Sequence, residues 1–453
     1  MDRREFLKLS GAAGLAAFGG PAAIAADDVT GQNLKLRIAP VSLEIGPGKV
    51  IKTVGYNGSV PGPIVRFREG RPVNVDVYND TDVPEVVHWH GQAISPKVDG
   101  STEEGTLPVP PGGHRRYSFT PGPTGTRWYH THSMAHADLT RAGFSGQYGF
   151  AIIEPARHAG NYDQEICIAL HQWEPALGTM GPPDNGWEIM YKSATFNERM
   201  LGAGEPLRVK EGQRILFRLL NASATDEHRI ALPGHQFQVI AMDGNPVPHP
   251  RTVDFLYLDI GERVDALVEM KNPGVWVFGS TSDDFRNMGM GVVVEYANKS
   301  GMPQWQAPAN AGRGPWDYAQ FSNDRAAPEP DHTFEMHIEK IPGNKKDFNH
   351  WTINGKSFPD IERLRVQKGK RYRLLFNNDS GDVHPLHLHR HTFEITQVGD
   401  QRMSGLKKDV ISVARRSKAA VDFVADNPGL SLFHCHMQLH MDFGFMQLLE
   451  YVG

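Results

Sequence analysis

The amino-acid sequence predicts an all-β protein made of three related sandwich domains, and three observations carry that expectation. Short runs such as Val73, Val75, Val77 alternate apolar with polar residues, the period of a half-buried strand. The 47 glycines and 32 prolines supply the turns that many short strands need. A pattern then recurs three times along the 453 residues: Phe67 to Gly70 leading to Asn79, Val209 to Gly212 leading to Asn221, and Val366 to Gly369 leading to Asn378. Between glycine and asparagine, the segments Val73 to Tyr78, Arg214 to Leu220 and Arg371 to Phe376 each read as a strand flanked by two turns.

The chain exceeds what one hydrophobic core supports, and the spacing of the repeat suits compact β-sandwiches. The first domain is expected over residues 27–155, the second over 156–306 and the third over 332–453, with 307–331, rich in Ala, Pro, Gly and Asn, as the linker before the third. Ahead of them, Arg3, Arg4, Glu5, Phe6, Leu7 and Lys8 precede a weakly apolar Gly/Ala run and resemble a twin-arginine export signal. Ala23, Ile24 and Ala25 offer a small-residue cleavage site, so residues 1–26 read as a removable signal. That implies passage through the twin-arginine machinery to the periplasm or otherwise out of the cytoplasm.

No other segment reaches the roughly 18 apolar residues of a membrane span. The 47 basic and 52 acidic side chains are interspersed and sum to -5, which speaks against a nucleic-acid partner or a polybasic membrane surface. Two cysteines exclude a disulfide scaffold. Cys167 lies in the apolar run Ile166 to Leu170 and reads as a buried, inert thiol.

The chemistry is in the histidines. Of 21, ten fall in four tight clusters: His88 and His90; His130 and His132; His384, His387 and His389; and His434, His436 and His440, with Cys435 inside the last. Strand residues two apart share a face, so each His-x-His pair aims two imidazoles at one point. His434 and His436 then face one way and Cys435 the other, so one strand serves two sites. Imidazole with thiolate suits Zn, Cu, Fe or Ni, and one Cys with two His in a trigonal set is the blue-copper pattern. Structural zinc prefers four-ligand Cys/His sets, commonly with Cys-x-x-Cys spacing, which does not occur here.

These four motifs, in this order, resemble those of the multicopper oxidases, the family of laccases, bilirubin oxidases and copper-tolerance oxidases, and the likeness spans the mature chain. It implies three cupredoxin-like Greek-key sandwiches holding four copper ions. By position, the type 1 copper would take His384, Cys435 and His440. The type 2 copper would take His88 and His387, and the type 3 pair His90, His130, His132, His389, His434 and His436. The reaction implied is one-electron oxidation of a small donor coupled to reduction of dioxygen to water.

The resemblance also assigns bystanders and departures. The middle copy, His228 to Leu232, lacks the ligand pairs, so domain two is expected to hold no copper. His235 and Phe237 there parallel His391 and Phe393, which makes His391 a shared structural histidine. His136 is expected at most behind the ligands, and His114, His158, His171, His249, His332, His337 and His350 read as surface or satisfied core groups. Asp99 matches a family carboxylate that helps supply protons, and it is equally a turn-capping Asp before Gly100. A second family acid in or after the last motif is missing: Gln438 and Met441 hold the usual places, with Asp442 nearby. Phe445 falls at the axial position of the type 1 site, where it would not coordinate, and a one-residue shift would put Met446 there instead. Met288, Met290, Met437 and Met441 are scattered, without the Met-rich insertion of cuprous oxidases, so a phenol-oxidising, laccase-like activity is favoured. Oxidation of Cu(I), Fe(II) or bilirubin, and a copper-free structural scaffold, are the alternatives.

Overall fold

The computed structural model describes residues 29–155, 160–181, 186–309, 316–323, 325–344 and 347–453. Residues 1–26, expected to be an export signal, and His158 lie outside the described residues. Half of the described residues are strand and only 5% helix, as the alternation requires.

Three sandwiches follow one another, each with sheets of its own. The first packs a five-stranded sheet on a four-stranded one, the second a six-stranded on a five-stranded one, and the third a seven-stranded on a five-stranded one. The repeat in the sequence is a repeat in register. Val73–Asn79, Arg214–Asn221 and Arg371–Asn378 each pair in parallel with an early strand of their domain, Leu34 beside Val75, Ile166 beside Phe217 and Phe334 beside Leu374. On its other edge each pairs antiparallel, with Tyr117, Ala266 and Val421 opposite those same residues. The burial pattern of Val73–Asn79 alternates at every residue, which fixes register because a one-residue slip would turn the apolar set to solvent.

The repeated glycine and asparagine have distinct causes. Gly70, Gly212 and Gly369 turn with φ of 72°, 78° and 83°, a backbone conformation costly for residues with a Cβ. The asparagines were expected in a turn, but each is the last residue of its strand, and its amide staples the following loop. Asn79 Nδ2 donates to the carbonyls of Val83 and Val109, Asn221 to those of Asp226 and Leu258, and Asn378 to those of Asp382 and Ala414. Each side-chain oxygen accepts the amide of Thr81, Ser223 or Ser380, two residues on, the bond typical of an Asx turn.

Two segments tie the domains together. Between domains two and three, Trp316, Tyr318 and Phe321 are buried in the core cluster that both domains share, so the expected linker is also an apolar wedge. A hairpin of domain two, Ala176–Met180 with Gly186–Met190, reaches domain three, where Trp187 N donates to Asn349 Oδ1 and Asn349 Nδ2 returns a bond to the Trp187 carbonyl.

Candidate metal centres

Register brings the histidines together. In domain one His88–His90 runs antiparallel to Gly125–His130, with His88 opposite His130. In domain three His384–Leu388 runs antiparallel to Ser431–Cys435, with His387 opposite His434 and Leu386 opposite Cys435. The two sheets meet so that rings from different domains stack: His88 on His389 at 4.0 Å and His90 on His387 at 3.7 Å between centroids. His88, His90, His387 and His389 are wholly buried. Gly91, directly after the first pair, has φ of 81°, and a Cβ there would sit 2.5 Å from Asp409 Oδ2, so only glycine lets domain three approach so closely.

Eight imidazoles line this interdomain site. His132 Nε2 and His389 Nε2 face His434 Nε2 at 3.4 and 3.1 Å. Two ligands bound at about 2.0 Å in tetrahedral geometry lie about 3.3 Å apart, so this trio fits one ion. The other five each keep one buried ring nitrogen with no partner: His88 Nε2, His90 Nδ1, His130 Nε2, His387 Nε2 and His436 Nε2. Five orphaned nitrogens at one site are what a metal-binding pocket presents when its remaining ring nitrogens are already engaged.

Those second nitrogens are held by the protein. His88 donates from Nδ1 to the Asp99 carbonyl at 2.8 Å, His387 to the Asp409 carbonyl at 2.6 Å, His130 to Thr131 and His434 to Cys435. His389 Nδ1 meets Asp99 Oδ2 at 2.9 Å, and His90 Nε2 meets Asp409 Oδ1 at 3.0 Å. His90 is therefore the one whose free nitrogen is Nδ1.

The smaller site lies on the other face of Ser431–Cys435. Cys435 Sγ is 3.6 Å from His384 Nδ1 and 3.4 Å from His440 Nδ1, and the two nitrogens are 3.1 Å apart. His384 is oriented by Ser380 Oγ on Nε2 at 2.8 Å, and His440 stacks on Trp351 at 3.9 Å. The Phe445 ring stands edge-on to His384 at 5.0 Å. Met446 turns the other way, into a cluster with Leu432, Met441 and Leu448.

Burial drives protonation here. It pushes His90, His130, His132, His387, His434 and His440 well below the usual histidine range, and His389 to about 4, so these rings are neutral and their lone pairs free to bind a metal. It also pushes the Cys435 thiol up. At Asp99 burial works against the charge, but His88 and His389 outweigh it and hold the carboxyl low. Burial and the Asp99 charge together push the adjacent Glu104 carboxyl well above the usual glutamate range.

The bystanders sort themselves by partner. His391 bonds the His389 carbonyl through Nδ1 and Tyr451 Oη through Nε2, just as His235 bonds Pro233 and Tyr296. His228 takes Ser223 Oγ on Nε2, as His384 takes Ser380, but Ser280 faces Ile230 where Cys435 faces Leu386, and the ring beside His228 is Phe285. Cys167 is buried with its thiol pushed up to about 12. Asp442 accepts the amides of Ala135 and His136 and the Gln438 side chain.

Sequence reasoning missed Asp409 and its clamp. Arg263 of domain two donates to both carboxylate oxygens, at 2.7 and 2.6 Å, and Arg127 of domain one donates to Oδ2 at 3.2 Å. All three side chains are fully buried. The only local signal was a charged pair, Lys408 and Asp409, set against the apolar run Val410 to Val413.

Multicopper oxidase family models match residues 39–158, 175–298 and 329–451. The chain belongs to the multicopper oxidase family. It is 30% identical over 479 residues to multicopper oxidase MmcO of Mycobacterium tuberculosis, covering 98% of this chain and 92% of that one. Copper resistance protein A of Escherichia coli is 23% identical, with 98% of each chain covered. Among solved structures, the multicopper oxidase of Pseudomonas thermotolerans superposes with a TM-score of 0.71 at 27% identity, covering 94% of this chain and all of that one. This multicopper oxidase is thus an oxidoreductase that uses copper, dioxygen and a reducing substrate.

Proposed function

We propose that this multicopper oxidase is a laccase-like enzyme with four coppers, oxidising phenols and similar small donors one electron at a time and reducing dioxygen to two waters. The type 1 copper is assigned to His384, Cys435 and His440. The type 2 copper is assigned to His88 and His387, and the type 3 pair to His132, His389 and His434 on one side and His90, His130 and His436 on the other. The observation that carries this is the set of five partnerless buried nitrogens beside a trio already at ligand spacing. When bound, copper supplies one-electron chemistry at the first site and dioxygen chemistry at the second.

The chain's own groups do the rest. Cys435, bonded through backbone to His434 and His436, makes a short covalent path between the two sites. Asp99 fixes His88 and His389, and Glu104 beside it, whose carboxyl is pushed up by burial and by the Asp99 charge, would hold a proton at the edge of the cluster. Phe445, edge-on to His384, presents a ring that could not coordinate a copper held by His384, Cys435 and His440, which would favour a high potential and hence phenolic donors. A copper-free scaffold would leave five buried nitrogens unsatisfied, at about 1–3 kcal/mol each. Oxidation of Cu(I) or Fe(II) is the second reading, favoured by the likeness to a copper resistance protein. The first residues suggest export, and no helix among the described residues is long and apolar enough to cross a membrane.

The test is to load the purified protein with copper, count metal per chain, and compare oxygen uptake with a phenol, Cu(I) and Fe(II). Four coppers with fastest uptake on the phenol is the expected result. A colourless protein without copper would sink the assignment, and faster turnover of either metal ion would move it to the second reading.

A further inference from the structure

Domain one has no cysteine–histidine centre, yet the internal repeat marks where one would stand. His384 comes six residues after Asn378, and Glu85 comes six after Asn79. Cys435 follows His434, which faces His387; Thr131 follows His130, which faces His88. Glu85 and Thr131 thus occupy in domain one the positions of His384 and Cys435 in domain three. They touch as those residues do: Thr131 Oγ1 donates to Glu85 Oε2 at 3.1 Å.

Glu85 is 5% exposed. Its Oε2 also accepts from Ser133 Oγ at 3.2 Å and Gln147 Nε2 at 3.1 Å, and among the described residues none of these partners is an assigned copper ligand. Thr131, Ser145 and Gln147 line one cavity together with His130, His132, His434 and His436. The carboxyl is therefore one hydroxyl away from the space beside the type 3 histidines. The charged group facing it from outside is Arg141, which is half-exposed, and Tyr56 faces it from within the core. Burial pushes the Glu85 carboxyl up against the pull of Gln147, Thr131, Ser133 and Arg141, so it retains a proton to higher pH than an ordinary glutamate.

We propose that Glu85, acting through the Thr131 hydroxyl, is a proton store that feeds the cavity beside the type 3 histidines and stands in for the acid missing after the last motif. The proposal rests on the oxidase reading above. Each dioxygen taken to two waters consumes four electrons from the donor and four protons. With Glu85 protonated, the Thr131 hydroxyl turns its hydrogen from Glu85 to the cavity, takes the Glu85 proton on Oγ1 as it gives its own to the cavity, and the carboxylate regains one from solvent on the Arg141 side. Both groups end each cycle unchanged. Because Glu85 acts through another residue, it is a positioning and supply group and not one that touches dioxygen.

Glu85→Gln keeps the shape and removes the titrating proton. The variant is expected to bind wild-type copper with an unaltered visible spectrum and an unchanged KM for a phenol. Its kcat is expected to fall by about tenfold or more, with the deficit widening as pH rises. In copper-free protein, an infrared titration is expected to show a protonated-carboxyl signal in wild type that the variant lacks. Glu85→Asp is expected to restore part of the rate, and Thr131→Val to reproduce the rate defect while keeping the infrared signal. Should Glu85→Gln fail to fold or load copper, Thr131→Val carries the test alone. A wild-type rate and pH profile in both variants would overturn the proposal, as would an infrared titration unaffected by Glu85→Gln. Failure of the oxidase reading would look different, since wild-type protein itself would then bind no copper or take up no oxygen.

Discussion

A type 1 site differs from a generic Cys/His pocket by what fills its fourth direction, and under the proposed assignment one residue decides it. Phe445 and Met446 are adjacent on the chain, so their side chains part to opposite faces. Phe445 is edge-on to His384, while Met446 packs among Leu432, Met441 and Leu448. Phe445→Met is expected to offer a thioether to the copper and lower the type 1 potential, read by redox titration with optical detection. Met446→Leu, a volume-conserving change in an apolar cluster, should leave both potential and visible spectrum in place. A spectrum that moves with Met446 and not with Phe445 would reverse the assignment. The clustered histidines were legible because His-x-His is a local signal, although only His88–His90 lies wholly on a strand and His132, His389 and His436 stand just past their strands' ends. Asp409 was not, because its role depends on residues from three domains, none near it in sequence.

At the scale of elements, domain two positions the proposed site although none of the assigned ligands lies in it. Its strand Arg263–Glu269 begins with the arginine that grips Asp409, and Asp409 in turn fixes His90 and His387. Arg263→Met would leave a buried carboxylate short of its bidentate partner, at about 3–5 kcal/mol. The expected outcome is a lower Tm together with copper affinity weakened roughly 10–100-fold at the interdomain site, measured by chelator competition. Arg263→Lys should recover part of the stability but not the fork geometry. Unchanged copper affinity in Arg263→Met would confine the clamp to a structural role.

The repeat of loops makes a second case. Asp226 and Asp382 both give their carbonyl to the repeat asparagine, but Asp382 has Lys340 and Trp351 beside its carboxylate, whereas Asp226 has Gln172. Burial accordingly pushes Asp226 up to about 6. Its folded pKa lies above the unfolded one, so the folded state binds the extra proton and stability falls as pH rises from about 4 through 6. Asp226→Asn is expected to gain on the order of 1 kcal/mol above pH 6, allowing for partial exposure, and nothing at pH 4, read as Tm against pH. A gain equal at both pH values would point to a cause other than ionisation. Much of this architecture was legible because glycine and asparagine signal turns wherever they fall. The wedge of Trp316, Tyr318 and Phe321 was hidden because its apolar residues follow no strand period in a stretch otherwise rich in Ala, Pro and Gly.

For the molecule as a whole, the assigned interdomain ligands make copper a staple between the first and third domains, closed over by the second. Without metal, two buried sheets present partnerless nitrogens to each other across an interface held by ring stacking such as His90 on His387 and by polar contacts such as His389 with Asp99 and Arg127 with Asp409. A ligand that binds only the folded state adds about 2.7 kcal/mol at a hundredfold excess over its Kd, and here the gain is localised where the ligands lie. Removing copper by chelation is therefore expected to lower Tm and to increase amide exchange in His88–His90 and Ser431–Cys435. Gln164–Trp173, a strand of the domain without ligands, should exchange as before. Restoring copper should reverse both effects in a concentration-dependent way. Exchange that rises evenly over all three domains would mean that the metal governs global folding, and exchange that does not change at all would mean that the sandwiches hold the site together without it.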